Sequence, residues 1–310
     1  MVVGCAVFRA PVENHEHPGE SRPVDLWRAL HPTVVRARAK SDQTRIPIDD
    51  SKKLKLANTS PRPLMHLERG VLPALGLLNR EPATDGELLD ALGAGGSFDG
   101  DDSQQGAAST ALTPEQITIL TNTFRLAMRA AGVDLLGLTC QAIDANSYNR
   151  ALTELGAKPE VSFRAVGRLI RGVWRRWGTE SPLVAVDRQG GRKHYGGHLC
   201  RAIPGVVVTT RVEEDALSVY EIEPVGGDGS RRMTVRFDVK GDDHHLPVAL
   251  ASMAAKLVRE RLMLRFNNHW AGRAPAIRPT AGYGADARRW INEIRPLIGE
   301  DELRTLVRRA

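Results

Sequence analysis

The sequence predicts a mixed α/β (α+β) domain in which helices are layered on a sheet, and three patterns lead to this prediction. The chain opens on an apolar, β-branched run over 2–8, which is typical of a buried strand. Further strands are predicted over 135–143, 181–187, 205–214, 217–223 and 231–239, and the turn "PVGGDGS" joins the last two into a hairpin. Helical spacing is found over 113–132, 144–157, 160–177 and 247–266. Strands and helices therefore mix along the chain before a helical end, which is the order of a layered domain.

Length and composition limit the classes of protein that are possible. A chain of 310 residues suits one large domain, 1–310, with a sizeable insertion. The net charge of +6 and the pI of about 9.5 mildly favour a polyanionic partner. The cysteines Cys5, Cys140 and Cys200 are far apart and form no C-x-x-C pair, so we expect reduced thiols. The sequence has no apolar run of membrane-spanning length. We therefore expect a cytoplasmic monomer without a membrane partner.

Two parts of the chain stand apart in composition. Residues 81–111 are rich in Gly, Asp, Ser and Ala, and we expect them to be a flexible segment within an insertion over 60–134. The insertion closes on a helix that Thr113 caps, with Pro114 at its first position and Gly132 at its end. Residues 267–310 are expected to form a C-terminal helical extension with two short helices.

Two acidic positions carry the chemical argument. Asp187 ends the short apolar strand "SPLVAVD", and Asp242 and Asp243 lie just before an amphipathic helix. Acids at strand ends can hold Mg²⁺ through oxygen ligands, with waters and a substrate phosphate completing the shell. The plainer alternatives are helix-dipole stabilisation by the acid pair and a turn role for Asp187. The neighbouring His244 and His245 could suggest a transition-metal site, but no third ligand is obvious.

The predicted helix over 160–177 carries a row of arginines opposite its apolar face. The row consists of Arg164, Arg168, Arg171 and Arg175. At helical spacing such a row is most often a solvated face, and phosphate binding is the sharper alternative.

Five segments resemble type 2 ribonuclease H (ribonuclease HII), and they occur in the family's order. "DDSKKL" (49–54) is similar to the family's D-S-K-K-L signature, and "LLGLTCQAIDANSYN" (135–149) to its third strand and I-D-x-x-N segment. "LVAVDRQGG" (183–191) resembles the strand that ends in I-D-G, and "TAGYG" (280–284) resembles K-G-Y-P-T. "KGDDHHLPVALASMAAKLVRERLM" (240–263) resembles the K-G-D segment and the helix after it, and is the most specific match.

The resemblance implies a ribonuclease H-like fold, with a mixed five-stranded sheet flanked by helices. It implies hydrolysis of the RNA strand of an RNA–DNA hybrid with Mg²⁺ or Mn²⁺ ions held by four carboxylates. By position, Asp187 matches the third family acid and Asp242 the fourth, with Asp243 as a neighbouring alternative ligand. The residues implied to contact nucleic acid are Ser51, Lys52, Lys53, Lys240, Lys256 and Tyr283, the last by stacking on a sugar.

The chain departs from the family pattern at its start. The family's first two acids lie in a G-x-D-E-x-G-R-G segment on the first, central strand, and nothing similar occurs here. Loss of a central strand would leave two rows of backbone groups unpaired. Either the true start lies upstream, which we favour, or the strand and two metal ligands have been lost. We therefore predict little or no cleavage by residues 1–310. The alternative function is a non-catalytic nucleic-acid-binding or interaction module on the same fold.

Overall fold

The structure is a computed structural model, and it describes residues 1–14, 21–37, 44–96, 110–227 and 229–309. It is 50% helical and 19% strand. This composition confirms the predicted mixed α/β class. Among the described residues, no helix is long and apolar enough to cross a membrane.

The strands and helices follow the predicted order closely. The strands are β1 (Val2–Arg9), β2 (Val12–Asn14), β3 (Ser21–Pro23), β4 (Val34–Val35), β5 (Ile46–Pro47), β6 (Asp134–Ala142), β7 (Leu183–Asp187), β8 (Val206–Glu213), β9 (Leu217–Pro224) and β10 (Met233–Asp238). The helices are α1 (Leu26–Ala29), α2 (Ser51–Leu54), α3 (Met65–Leu77), α4 (Asp85–Ala91), α5 (Pro114–Ala131), α6 (Ala145–Leu155), α7 (Lys158–Trp177), α8 (Gly196–Ala202), α9 (Gly241–His244), α10 (Leu246–Arg273), α11 (Gly284–Ile294) and α12 (Glu300–Leu306).

The long strands belong to two separate sheets. β7, β10, β9 and β8 form a four-stranded sheet in that order, with β7 parallel to β10 and the other pairs antiparallel. β1 and β6 form a two-stranded antiparallel sheet, and β2–β3 and β4–β5 are small pairs. The described strands therefore do not join into the single five-stranded sheet that the resemblance implies, because none of them lies between β1 and β7.

Two apolar cores lie on opposite sides of β1. The first core contains one face of β1 and β6 with α3, α5 and α10. The second core lies between the four-stranded sheet and α7, and Val3, Cys5 and Val7 pack against it. A smaller third core joins the end of α10 to α11 and α12. Helix α10, which continues past its predicted end to Arg273, therefore connects the first core to the C-terminal helices.

A buried ion pair crosses the first core. The Arg261 guanidinium of α10 donates to the Glu68 carboxylate of α3 at 2.6 Å, and both side chains are 2% exposed. Asp85 lies 3.2 Å from the same guanidinium. Burial raises the pKa of Glu68, although the backbone N–H of Ala111 and the Arg261 contact oppose that rise. The pair ties the predicted insertion to the helix that carries the site.

The expectation of a flexible segment over 81–111 is wrong for its first part. Residues 85–91 form α4, which begins at a capping box between Thr84 and Glu87. Leu88, Leu89 and Leu92 are buried in the first core, since their spacing places them on one helix face. Residues 97–109 lie outside the described part of the chain.

Several local predictions are confirmed. Thr113 caps α5 and Gly132 ends it in the left-handed region at φ 64°, and Gln116 completes a capping box with Thr113. β9 and β10 form the predicted antiparallel hairpin. The apolar face of α7 lies in the second core, and its four arginines are exposed, as expected for a solvated face.

Candidate functional site

The candidate site is built at the carboxyl ends of two adjacent parallel strands. Asp187 ends β7 and Asp238 ends β10, and the two residues are partners in the β-sheet register. The chain then turns through Lys240, whose φ of 57° is left-handed, into α9. The backbone N–H of Gly241 donates to the Asp187 carboxylate at 2.9 Å. Glycine at 241 favours this close approach, because a Cβ there would lie 3.1 Å from the Asp187 Cα.

Asp242 is the acid whose charge is least compensated. It lies in the first turn of α9 and is half-buried. Burial raises its pKa, and the negative charges of Asp50, Asp187 and Asp243 raise it further. The fold therefore gathers several carboxylates around one position, which is an arrangement that a cation would stabilise.

Asp243 faces the opposite electrostatic environment. Lys53 Nζ and Arg36 Nη2 each donate to its carboxylate at 3.1 Å. The hydrogen bond from Lys53 is the main cause of its lowered pKa. Asp49, which is buried, lies 3.6 Å from both cations. Asp243 is thus compensated by Lys53 of the "DDSKKL" segment and by Arg36.

Asp238 is a buried acid that the sequence reasoning did not select. Burial opposes its ionisation, but hydrogen bonds from Arg236 and His245 outweigh that effect and hold its pKa well below the usual range. The signal was available, since "RFD" ends a strand on an acid in the same way as "VAVD". His245 is engaged here, whereas His244 is exposed, and the two ring centroids lie 6.4 Å apart.

Asp187 lines a cleft that is also lined by basic and aromatic side chains. Tyr283 is 55% exposed, and the Arg259 guanidinium lies 3.7 Å from its ring centroid. Lys256 Nζ lies 5.8 Å from the same ring and 3.2 Å from Glu260. Sequence reasoning predicted Lys256 and Tyr283 but missed Arg259, which follows Lys256 by about one helical turn.

The remaining residues that are predicted to contact nucleic acid differ in how deeply they are buried. The Asp50 carboxylate caps α2 by accepting a hydrogen bond from the backbone N–H of Lys52 at 2.8 Å. The Lys52 side chain is exposed and lines the cleft. Ser51 is buried, and its hydroxyl lies 3.0 Å from the Ser252 hydroxyl of α10. Lys240 is exposed at the turn before Asp242. Ser51 thus holds α2 against α10, whereas Lys52 and Lys240 remain accessible to a ligand.

Asp187 and Asp242 are the candidates to hold one divalent ion. Asp187 and Asp242 together offer two carboxylates, and Mg²⁺ is commonly bound by one or two carboxylates with waters and phosphates. Across the described residues, no group of three or more His, Cys, Asp or Glu side chains is arranged to hold a metal ion. A two-ion site therefore needs ligands beyond those that this part of the chain provides.

Comparison with known proteins gives no relative. No protein-family model matches the chain, and no curated protein or solved structure is significantly similar to it. The resemblance to type 2 ribonuclease H therefore depends on the motif residues alone and stays a prediction.

Proposed function

We propose that the protein is a ribonuclease HII-like, metal-dependent endonuclease that acts on the RNA strand of RNA–DNA hybrids. The observation that carries the proposal is the grouping of Asp187 and Asp242 at a strand end, beside a cleft lined by Lys52, Lys256 and Tyr283. These residues come from four of the five segments that resemble the family. The same grouping supports the ribonuclease H-like fold as the finer description of the α/β architecture.

Each side chain has a separate role in this proposal. Asp187 and Asp242 would hold Mg²⁺ or Mn²⁺, which supplies Lewis-acid activation of a phosphodiester and of the attacking water. The Gly241 N–H fixes the orientation of the Asp187 carboxylate. Lys52 and Lys256 would contact substrate phosphates as point charges. The exposed face of Tyr283 would stack on a sugar or a base.

The proposal also predicts a low rate of RNA cleavage. Two carboxylates are half of the set that the resemblance implies, so residues 1–310 should cleave slowly or not at all. Binding should be less affected, because phosphate contacts and stacking do not require the metal ligands. Its salt dependence should be steep, as expected for lysine contacts to phosphates.

The test measures binding and cleavage of one labelled hybrid separately. We expect Asp187→Asn and Asp242→Asn to abolish any Mg²⁺-dependent cleavage while retaining hybrid binding, and Asp301→Asn, at a fully exposed acid in α12, to change neither. Tyr283→Ala should weaken hybrid binding about tenfold or more, which corresponds to the loss of one stacking contact. Cleavage that survives both Asn variants would contradict the assigned ligands.

A second candidate is a nucleic-acid-binding module without catalysis. It is favoured by the lack of a three-ligand metal group among the described residues. In that case the wild-type protein binds the hybrid in a Tyr283-dependent way and cleaves nothing at any Mg²⁺ or Mn²⁺ concentration. The two candidates are separated by wild-type cleavage: any metal-dependent cleavage that both Asn variants abolish favours the nuclease, and its absence at every metal concentration favours the module.

A further inference from the structure

Helix α7 carries an excess of positive charge on its outer face. Its apolar side packs into the second core, and Arg164, Arg168, Arg171 and Arg175 are exposed on the other side. Their spacing of three or four residues places the four side chains along one face of the helix. These four residues form the arginine row. The row is about 16 Å long, because an α-helix rises about 1.5 Å per residue.

Three members of the arginine row lack an acidic partner. Among the described residues, Arg164 forms an exposed ion pair with Glu154, whereas Arg168, Arg171 and Arg175 form none. Three arginines near the C-terminus are instead compensated, in the pairs Arg273–Glu302, Arg289–Asp286 and Arg304–Asp301. The row therefore differs from these arginines because it lacks counter-charges, and not merely because it is exposed.

The acid of α7 itself is bound to residues outside the row. Glu160 is the one acidic residue of α7. Its carboxylate accepts from Arg192 at 2.8 Å and lies 3.2 Å from the Nδ1 atom of His198. Neighbouring members of the row repel each other, since like charges three or four residues apart destabilise a helix. Stabilisation of the fold therefore does not explain the row.

The arginine row faces away from the cleft that contains Asp187. Val166, Ile170 and Val173 line the cleft from the inner side of α7, which is the side opposite to the row. A ligand on the row is therefore bound at a surface separate from the candidate active site.

The surface around the row is open and lacks aromatic rings from α7. Gly172, beside the row, is exposed, and a Cβ there would meet nothing within 4 Å. Phe163, Trp174 and Trp177 pack in or against the second core. Single-stranded nucleic acids are bound by stacking on aromatic side chains, which the row does not offer. The apolar face of α7 is also buried, so the helix cannot insert that face into a membrane.

We propose that the arginine row binds the phosphate backbone of duplex nucleic acid. Guanidinium groups can donate two parallel hydrogen bonds to a phosphate. A row of about 16 Å covers about five phosphates of one strand, which follow each other at about 3.4 Å along the duplex axis. Contacts to phosphates carry no base-sequence information, so the row binds duplex DNA that contains no RNA strand.

The inference does not depend on the proposed nuclease function. The row contains no candidate metal ligand and no residue that lines the cleft. Duplex binding by the row can therefore fail while hybrid cleavage occurs in the cleft, or the reverse.

The first experiment measures the binding of a DNA duplex of about 16 base pairs at several salt concentrations. The test variant combines Arg168→Gln, Arg171→Gln and Arg175→Gln. We expect it to bind about tenfold or more weakly at low salt. The slope of log K against log salt should become shallower by about 3, since each phosphate contact contributes about 0.9. An affinity and a slope equal to those of wild type would overturn the proposal.

The control variant tests whether net charge alone explains the binding. Arg129→Gln, Arg211→Gln and Arg304→Gln together remove the same charge from exposed positions of α5, β8 and α12. This variant should bind the duplex nearly like wild type, and a loss equal to that of the test variant would overturn the assignment to the row. Both variants should melt cooperatively. The test variant should melt no lower than wild type, because it removes repulsion between like charges.

The second experiment locates the bound duplex on the protein. Phenylglyoxal modifies accessible arginines, and mass spectrometry measures the extent at each position. We expect the duplex to protect Arg168, Arg171 and Arg175 and to leave Arg129 reactive. Protection confined to Arg259 would place the duplex in the cleft. Equal protection of the row by poly-glutamate at the same charge concentration would indicate an acidic polypeptide as the partner, and either result overturns the proposal.

Discussion

Asp187 and Asp238 end adjacent parallel strands and are partners in the register, yet their surroundings differ. Asp238 is 6% exposed, accepts hydrogen bonds from Arg236 and His245, and has its pKa held well below the usual range. Asp187 is exposed, accepts one backbone hydrogen bond from Gly241, and lies beside Asp242. The first acid is neutralised by the protein, and the second adds to an excess of negative charge.

The difference separates acids that stabilise the fold from acids that are available to a ligand. Glu68, Asp238 and Asp243 each have an arginine or lysine partner within 3.2 Å. Asp242 instead has carboxylates as the neighbours that shift its pKa. An acid at a strand end is therefore a sign of a site only when its counter-charge is missing from the surrounding structure.

The largest expected loss of stability comes from breaking the buried ion pair between Arg261 and Glu68. Arg261→Met leaves Glu68 charged and buried without its partner, which typically costs about 3–5 kcal/mol in the free energy of unfolding. Urea denaturation at neutral pH measures this loss. The double variant Arg261→Met with Glu68→Leu should recover part of it, since the buried Glu68 charge is gone and only the less buried Asp85 loses its arginine partner. A double variant as unstable as the single one would show that packing, not charge, is decisive.

A smaller effect is expected at Asp238, and it should depend on pH. The folded protein holds the pKa of this carboxyl below its unfolded value of about 3.9, so its stabilisation is present above that pH and is lost as the pH falls through the folded pKa. Asp238→Asn should cost about 2 kcal/mol at pH 7, as expected for hydrogen bonds to a charged group.

The difference between wild type and Asp238→Asn should shrink only as the pH falls below about 4, which unfolding curves at each pH would measure. Asp243→Asn is the matched control, because its partners Lys53 and Arg36 are exposed and an exposed pair contributes about 1 kcal/mol or less. A pH-independent difference at Asp238 would contradict the assigned ionisation.

The smallest effect on the free energy of unfolding is expected at Asp242, where the substitution should stabilise the protein. Asp242→Asn removes repulsion from Asp50, Asp187 and Asp243, so it should raise the free energy of unfolding by about 0.5 kcal/mol at low salt. The gain should fade at high salt, where the repulsion is screened. Added Mg²⁺ should raise the melting temperature of wild type more than that of Asp242→Asn. Destabilisation by the substitution would show that Asp242 is structural.

Sequence patterns predicted the helices and strands well, because helix and strand formation depends on neighbouring residues along the chain. The Thr113 cap, the end of α5 at Gly132, the amphipathic α7 and the β9–β10 hairpin were all predicted from residues within a few positions. Helix α4 was missed because its short apolar set lies within a segment of low average hydrophobicity. Its capping box and its packing against the first core stabilise it.

The sequence by itself determined the α/β class, the order of the elements and the candidates Asp187, Asp242, Lys52, Lys256 and Tyr283. The tertiary structure decided which charges meet: Asp243 pairs with Lys53, and Asp238 with Arg236 and His245, whereas Asp242 is left among acids. It also decided that β1 and β7 line one cleft. The physical reason is the separation along the chain over which each interaction acts. Helix and strand propensity act over a few residues, whereas the Asp243–Lys53 pair and the pairing of β1 with β6 join segments more than a hundred residues apart.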